Sequence, residues 1–220
     1  MSTHEEEGEW NLEKLRALNK QVFRVKAVHA GGRKAEQADD QECGLEKTAL
    51  LAEGARVMLR SNIWTTRVLT NGAMGEVVDV IASANDTMPM CVLVRFPSYA
   101  GPAFFPDDPE VAPAVPKTAN FGVGKTLRRT QIPLTLCWAT TIHKSQGATY
   151  ARAVISLGKK EMQLGLSYVA LSRVTSLAGL LLVGEYSVSR MFKINLNKRH
   201  RDREVAERRL SDMEHADRDV

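Results

Sequence analysis

Apolar and polar residues follow two different patterns on either side of Pro133. Before Pro133, short apolar or alternating runs are separated by polar segments, which is typical of half-buried β-strands. These runs occupy residues 22–28, 54–63, 75–82 and 90–96. After Pro133, continuous apolar runs at 134–140, 153–157 and 179–184 accompany a segment of helical character at 161–173. Strands that alternate with helices predict a mainly parallel sheet covered by helices.

The segments between the runs are polar or rich in turn-forming residues. Leucines at every third position from 12 to 18 predict a short amphipathic helix before the first strand. Residues 29–44 are predicted to form an exposed loop, and residues 97–124, which contain six prolines, a long irregular one. Asn71 and Gly72 form a dipeptide that strongly favours a tight turn. Short strands separated by such turns predict a small barrel or sandwich.

These patterns predict an α/β fold whose sheet is interrupted by a β-rich insert at residues 54–132. Residues 1–53 and 133–197 then form the α/β domain on either side of the insert. Residues 198–220 form a charged C-terminal helix or tail. For this tail, a solvated helix or frayed end is favoured over an arm that binds nucleic acid or a partner.

Composition narrows the class of protein without naming a function. The chain has 220 residues, of which 44% are hydrophobic, enough for a packed core. A net charge of +4 and a pI near 9.0 suit a polyanionic partner. The three cysteines lie far apart, so a disulfide framework or zinc site is not expected and an intracellular location is the default. No signal peptide or membrane-spanning run is expected, and no membrane partner.

Gly124, Lys125 and Thr126 match the end of a phosphate-binding loop, but the neighbouring residues argue against that site. The first glycine of the pattern is replaced by Ala119, and the preceding segment is proline-rich instead of a buried strand. Pro133 opposes a long helix on the other side. We therefore expect an exposed glycine-containing loop, and we expect that the isolated chain does not hydrolyse ATP.

Two motifs follow Pro133: T-I-H-K-S-Q-G at residues 141–147 and Y-V-A-L-S-R at residues 168–173. Together they resemble motifs V and VI of the Pif-type and RecD-like DNA helicases of superfamily one. Weaker matches at G-A-R-V-M-L-R-S-N, V-L-T-N-G-A-M-G-E-V and R-R-T-Q-I-P-L extend the resemblance over residues 10–196. His29 departs from the pattern, because the family usually has an aspartate there. The resemblance implies the second of two RecA-like domains, with an inserted small β-barrel.

The resemblance also implies roles for seven residues around the two motifs. Arg173 would act as an arginine finger on the γ-phosphate of ATP, with Gln146 and Gly147 near the nucleotide. The residues on the side of single-stranded DNA would be Thr141, His143, Lys144 and Ser145. ATP and Mg²⁺ would be bound mainly by the first RecA-like domain, which is absent from this chain and would be its partner.

The residues themselves leave other interpretations open. Without the resemblance, Arg173 is expected to bind carbonyls at a helix end, and His143 to be a satisfied core residue. The 141–147 motif is expected to follow a buried strand and to lead into a helix. Trp64 is expected in the barrel core, although with Arg60 and Arg67 it would also suit a surface for single strands.

Two functional hypotheses follow. In the first, the chain is the C-terminal part of an ATP-dependent 5′-to-3′ DNA helicase that couples ATP hydrolysis to translocation on single-stranded DNA. In the second, it is a stand-alone nucleic-acid-binding module, or a decayed helicase fragment without enzymatic activity. A nuclear or mitochondrial location agrees with the resemblance, and the sequence does not decide between them.

Overall fold

The computed structural model describes residues 4–82, 87–158, 165–185, 202–203 and 205–208. The chain divides into a larger unit, residues 8–139, and a smaller unit, residues 1–7 and 140–220. The helices are α1 (His4–Ala17), α2 (Arg33–Gln37), α3 (Asp40–Cys43) and α4 (Leu166–Leu171). None of the described helices is long and apolar enough to cross a lipid bilayer.

Twelve strands are described, and they form four sheets. The first six are β1 (Phe23–Lys26), β2 (Val28–Ala30), β3 (Thr48–Leu51), β4 (Arg56–Leu59), β5 (Met74–Ile81) and β6 (Cys91–Arg95). The last six are β7 (Val111–Ala114), β8 (Lys117–Phe121), β9 (Leu127–Gln131), β10 (Leu134–Leu136), β11 (Ala153–Ser156) and β12 (Leu180–Val183). The fold is therefore mixed α/β, as the sequence pattern predicts.

The larger unit is built on a five-stranded antiparallel sheet with the order β10-β4-β5-β6-β7. Strand β6 shows why the sequence folds this way. Its residues alternate in burial, because Val92 and Val94 are fully buried and the other three residues of the strand are half-buried. Strands β2, β9 and β8 form a second antiparallel sheet, and β1 pairs with β3. Strands β4 and β6 thus lie in a different sheet from β11.

Strand β10 follows Pro133, and the sequence pattern assigned it to the parallel sheet. That assignment is wrong, because β10 pairs antiparallel with β4 and Leu134 lies opposite Leu59. Backbone bonds from Arg60 to the carbonyl of Pro133, and from Cys137 to that of Arg56, extend the pairing at both ends. A short apolar run satisfies either kind of sheet, so the local pattern does not specify the partner strand.

The segment 97–124 is not one irregular loop, as predicted, because it contains β7 and β8. Strand β7 lies at the edge of its sheet, where a proline such as Pro113 is tolerated because one side of the strand needs no N–H donor. The longest irregular part consists of the residues between β6 and β7.

The predicted exposed loop at 29–44 is also corrected, because it contains the end of β2 and both short helices α2 and α3. Arg129 on β9 explains why this segment is structured, since the Arg129 side chain is completely buried against it. The guanidinium donates to the carbonyls of Ala38 and Leu45, both at 2.7 Å, and to the Asp40 carboxylate at 2.6 Å. These bonds satisfy backbone groups that a free loop would leave to water.

Helix α1 is present where the leucine spacing predicts it, but it starts earlier, at His4. Its buried face carries Glu7, Asn11 and Leu15, four residues apart, whereas Leu12 is exposed. Asn11 and Ala139 exchange two hydrogen bonds, of 3.0 Å and 2.9 Å. Polar residues therefore form most of this face, which a search for apolar periodicity does not detect.

The smaller unit contains the one parallel pair of the described strands, β11 with β12. Its core consists of the buried residues Ile142, Ile155, Leu157, Leu166 and Ala170. Helix α4 confirms the later part of the predicted helix at 161–173, whose residues 161–164 lie outside the described part of the chain. Most of the predicted tail at 198–220 also lies outside it, and residues 202–203 and 205–208 are helical.

We expect Arg129 to be a major contributor to the stability of the larger unit. Replacing Arg129 with Met should lower the free energy of unfolding by about 3–5 kcal/mol, because it leaves buried acceptors without a donor. The neighbouring Arg128 is exposed on the other face of β9, so Arg128→Met should change stability by less than about 0.5 kcal/mol. Urea denaturation measures both. Equal effects of the two changes would contradict this role of Arg129.

His29 should make stability fall as the solution becomes acidic. Burial and the charges of Arg129 and Lys47 lower the pKa of His29 below its usual 6.5, and Glu36 and Asp40 oppose the shift. As the pH falls below about 6.5, His29 takes up a proton in the unfolded chain before it does so in the folded one. Stability is therefore lost progressively until the pH has fallen through the lowered pKa of the folded state. His29→Gln should remove this part of the pH dependence. Denaturation at several values from pH 7.5 to 5 tests it, and identical slopes for the two proteins would rule it out.

Candidate functional site

Residues 141–147 form a compact loop of successive turns in the smaller unit. The amide of Ser145 donates to the carbonyl of Thr141 at 3.1 Å, and the Ser145 hydroxyl donates to the carbonyl of Ile142 at 2.7 Å. Gly147 has a φ of +86°, which a glycine adopts easily, and it ends the last turn. The predicted helix after the motif does not form.

The loop divides its side chains into buried and exposed groups. Thr141 and Ser145 are buried, and both hydrogen-bond within the loop, because the Thr141 hydroxyl accepts from the Lys144 amide at 3.5 Å. His143 and Gln146 are exposed. The two hydroxyl residues therefore hold the loop together. Ile142 is buried in the core of the smaller unit, whereas His143 and Gln146 lie on the outer surface of the loop.

Lys144 is bound to a carboxylate that sequence analysis did not identify. Its ammonium group lies 2.9 Å and 3.0 Å from the two carboxylate oxygens of Glu7, in the first turns of α1. The Glu7 side chain is almost completely buried, and its second oxygen also lies 3.2 Å from the His4 ring. The two partners are 137 residues apart in the chain, so no local signal links them.

Arg173 lies just after α4 and joins the two motifs. Its Nε donates to the carbonyl of Val169 at 3.0 Å, as expected for an arginine at a helix end. One terminal nitrogen donates to the carbonyl of Ala148 at 3.2 Å, and the other to the Ser172 hydroxyl at 2.9 Å. Because Ala148 directly follows Gly147, the end of the first motif lies against the arginine of the second.

Backbone pairing also holds the two motifs together. The amide of Tyr150 donates to the carbonyl of Arg173 at 2.8 Å, and the amide of Thr175 donates to the carbonyl of Tyr150 at 3.1 Å. Tyr150 and Val174 thus form a parallel bridge ahead of β11 and β12. The position of Arg173 relative to residues 146–148 is therefore set by main-chain bonds as well as by its side chain.

The two cations differ in their electrostatic state. Lys144 is neutralised by the buried Glu7 carboxylate. The hydrogen-bond partners of the Arg173 guanidinium within the described residues are neutral carbonyls and a hydroxyl. An arginine whose charge has no carboxylate partner attracts anions, and its planar N–H groups suit the oxygens of a phosphate. Arg173 is thus the better anion-binding group of the two in this conformation.

Gly124, Lys125 and Thr126 lie in the hairpin between the antiparallel strands β8 and β9. Gly122 and Gly124 both have positive φ, which suits a tight connection of this kind. A phosphate-binding loop requires a strand before it and a helix after it. The predicted glycine-containing loop is confirmed, and this segment does not have the geometry of a phosphate-binding loop.

The predicted core position of Trp64 is wrong, because 38% of this side chain is exposed. The Arg67 guanidinium lies 5.8 Å from the centre of the Trp64 ring. The turn at Asn71 and Gly72 is present, with Gly72 at φ +93° and the Asn71 amide bound to the Asn62 side chain at 2.8 Å.

Comparison with known proteins shows the family to which the chain belongs. No protein-family model matches the chain. The human ATP-dependent DNA helicase PIF1 is 39% identical over 170 residues, which are 77% of this chain and 24% of that protein. The crystal structure of Pif1 helicase from Candida albicans superposes with a TM-score of 0.69 at 26% identity, over 90% of this chain and 49% of that one.

A second structure has the same fold at lower identity. The Bacteroides Pif1 helicase, crystallised with ADP-AlF3 and single-stranded DNA, superposes with a TM-score of 0.61 at 24% identity. The match covers 87% of this chain and 41% of that one. The chain spans about a quarter of the length of the human relative, and both comparisons extend over most of its own residues. The chain therefore belongs to the family of Pif1-type DNA helicases and corresponds to part of the length of such a protein.

Proposed function

We propose that the chain serves in an ATP-dependent DNA helicase, where it completes the ATP site with Arg173 and holds single-stranded DNA with the 141–147 loop. The human relative, named an ATP-dependent DNA helicase, supports this assignment. The observation that carries it is the contact between Arg173 and Ala148. It joins the end of the loop to a cation whose hydrogen-bond partners among the described residues include no carboxylate. This connection suits a protein in which nucleotide state and grip on DNA change together.

Arg173 would act on the γ-phosphate during ATP hydrolysis. Charge develops on the phosphate oxygens in the transition state, and a guanidinium stabilises it without titrating near neutral pH. To do so, the terminal nitrogen would exchange the Ala148 carbonyl for a phosphate oxygen. Gln146 and Gly147 are exposed beside that carbonyl, so they would lie close to the same nucleotide. The exchange would pass a change at the phosphate directly to the loop.

The 141–147 loop would contact the DNA strand through its exposed side. His143 would stack on a base or bind a phosphate, and Lys144 would exchange Glu7 for a phosphate. Thr141 and Ser145 would contribute mainly by holding the loop in shape, because both are buried in it. The Bacteroides Pif1, whose fold this chain shares, was crystallised with single-stranded DNA and a nucleotide analogue.

The domain assignment follows from the same proposal. Residues 1–53 and 133–197 would belong to the second RecA-like domain, and residues 54–132 to an inserted barrel, although β10 pairs with β4 of that insert. The partner would be a first RecA-like domain that holds ATP and Mg²⁺. The family resemblance is the ground for assigning Mg²⁺ to that other domain. No group of three metal-binding side chains occurs among the described residues. Translocation in the 5′-to-3′ direction is part of the proposal.

The isolated chain should show no ATPase activity, with or without single-stranded DNA. Its Gly124–Thr126 segment lies in a hairpin, and Arg173 alone stabilises charge without binding the whole nucleotide. Phosphate release from ATP that is stimulated by DNA would contradict this prediction. If that activity disappeared in Lys125→Ala, the Gly124–Thr126 segment would have to be a phosphate-binding loop after all. When the chain is assayed together with a first RecA-like domain that binds ATP, Arg173→Ala should lower the ATPase rate about 10³-fold or more. An unchanged rate there would exclude the finger role.

Binding to single-stranded DNA should separate Lys144 from Arg173. Lys144→Ala should weaken binding and reduce the slope of log K against log salt by about 0.7, the value for one phosphate on a single strand. Arg173→Ala should leave both nearly unchanged. Glu7→Gln should strengthen binding, because it removes the carboxylate that holds Lys144. Fluorescence anisotropy across a salt series measures all four proteins. Equal losses in Lys144→Ala and Arg173→Ala would refute the division of roles.

A further inference from the structure

Two loops of the larger unit together present aromatic side chains to solvent. In the first, Trp64 and Leu69 exchange two backbone hydrogen bonds, of 3.0 Å and 3.1 Å, and enclose a tight turn. Leu69 is buried and anchors the turn, whereas Trp64 is exposed. Val68 adopts φ +65°, which is unfavourable for a β-branched residue, so this turn is held in its conformation by its surroundings.

The second loop lies between β6 and β7. Phe104 and Phe105 are about half exposed there, at 50% and 41%. The ring of Tyr99 stacks on Phe104 with 6.3 Å between the centres, and the Tyr99 hydroxyl donates to the carbonyl of Pro102 at 2.9 Å. A Cβ on Gly101 would collide with the Tyr99 ring, so this position needs glycine. The exposed rings of this loop therefore rest on an ordered support.

Hydrogen bonds join the two loops into one surface. The amide of Ala100 donates to the carbonyl of Arg67 at 3.4 Å, and the Arg67 side chain donates to the carbonyl of Ala100 at 3.4 Å. Arg67 thus contacts the second loop while its guanidinium lies over the Trp64 ring. We call residues 60–72 and 97–105 together the aromatic surface.

The charge of the aromatic surface is entirely positive. Its residues include Arg60 and Arg67 and no aspartate or glutamate. Lys117 adds a third cation at its border, where its ammonium donates to the carbonyl of Asn62 at 2.8 Å. Three acidic residues follow Phe105 in the same loop: Asp108 is paired with Arg95, Asp107 is exposed, and Glu110 is half-buried. No ion pair with Arg60 or Arg67 occurs among the described residues. Exposed rings combined with such arginines match a polymer that has both flat apolar groups and phosphates.

We propose that the aromatic surface is a second contact site for single-stranded nucleic acid, separate from the 141–147 loop. Unpaired bases stack on Trp64 and on the exposed phenylalanines, while Arg60 and Arg67 meet the phosphates between them. Single strands are favoured over duplex, because stacking needs base faces that a duplex keeps inside. The choice of nucleic acid as ligand rests on the proposed function, whereas the residues are independent of those assigned to it.

The test compares two tryptophans of similar exposure in the full chain. Trp64→Ala should weaken binding of a labelled oligo-dT about 5- to 100-fold at fixed salt, the range for loss of one stacked base, with the salt slope unchanged. Arg67→Ala should reduce that slope by about 0.7. Trp10→Ala is the control, because Trp10 is 40% exposed and also has a cation, Lys14, over its ring, but lies on the acidic helix α1. It should bind like the unchanged chain.

An abasic oligonucleotide of the same length tests the role of the bases without a mutation. The unchanged chain should bind it more weakly than oligo-dT, and Trp64→Ala should no longer differ from the unchanged chain on it. Trp64→Phe keeps an aromatic face and should retain most of the affinity, which separates stacking from misfolding. Equal binding of abasic and normal strands, or equal effects of Trp64→Ala and Trp10→Ala, would overturn the proposal. In that case Lys144→Ala would still test the proposed function, because its loop lies outside the aromatic surface.

Discussion

The buried guanidinium of Arg129 is the interaction on which the rest of the larger unit depends. It is completely enclosed, and it donates to backbone carbonyls of the segment that carries α2 and α3 and to the Asp40 carboxylate. Gln131 lies two residues after Arg129 on β9, and its side chain donates to the carbonyls of Val25 and Glu46. Two inward-facing polar side chains of one strand therefore hold a polar segment that has few apolar residues of its own. A buried charge is tolerated in such a place because nearly all of its donors are satisfied.

The smaller unit uses cations in a different way. Lys144 is compensated by a buried carboxylate, whereas Arg173 donates to neutral acceptors within the part of the chain that the structure describes. A compensated cation contributes to the fold and exchanges its partner only when another anion replaces it. A cation bound to carbonyls keeps its full charge for an incoming anion. The two motifs are joined through Ala148 and Tyr150, which contact the side chain and the backbone of Arg173.

The site was partly accessible from the sequence. The motifs at 141–147 and 168–173 indicated the family and suggested the candidate residues, and the structure brings the end of the first motif against Arg173. Glu7 was missed because its partner is 137 residues away and its neighbours Glu5 and Glu6 make it look like one more acidic residue in a first helical turn. The exposure of Trp64 was also missed, since a tryptophan between strands is assigned to a core on apolarity alone.

The sequence by itself determined where most strands lie, that a turn falls at Asn71 and Gly72, and which family the two motifs resemble. These features are local, because side-chain alternation and turn preference are properties of a few neighbouring residues. The tertiary structure alone decided that β10 pairs with β4, that Arg129 faces inward and Arg128 outward, and that Glu7 binds Lys144. Arg128 and Arg129 are the same type of residue, so their chemistry does not show which one is buried. The pairing of β9 with β2 and β8 decides which of the two arginines faces the interior. Such choices depend on contacts between distant segments, which form only when the whole chain folds.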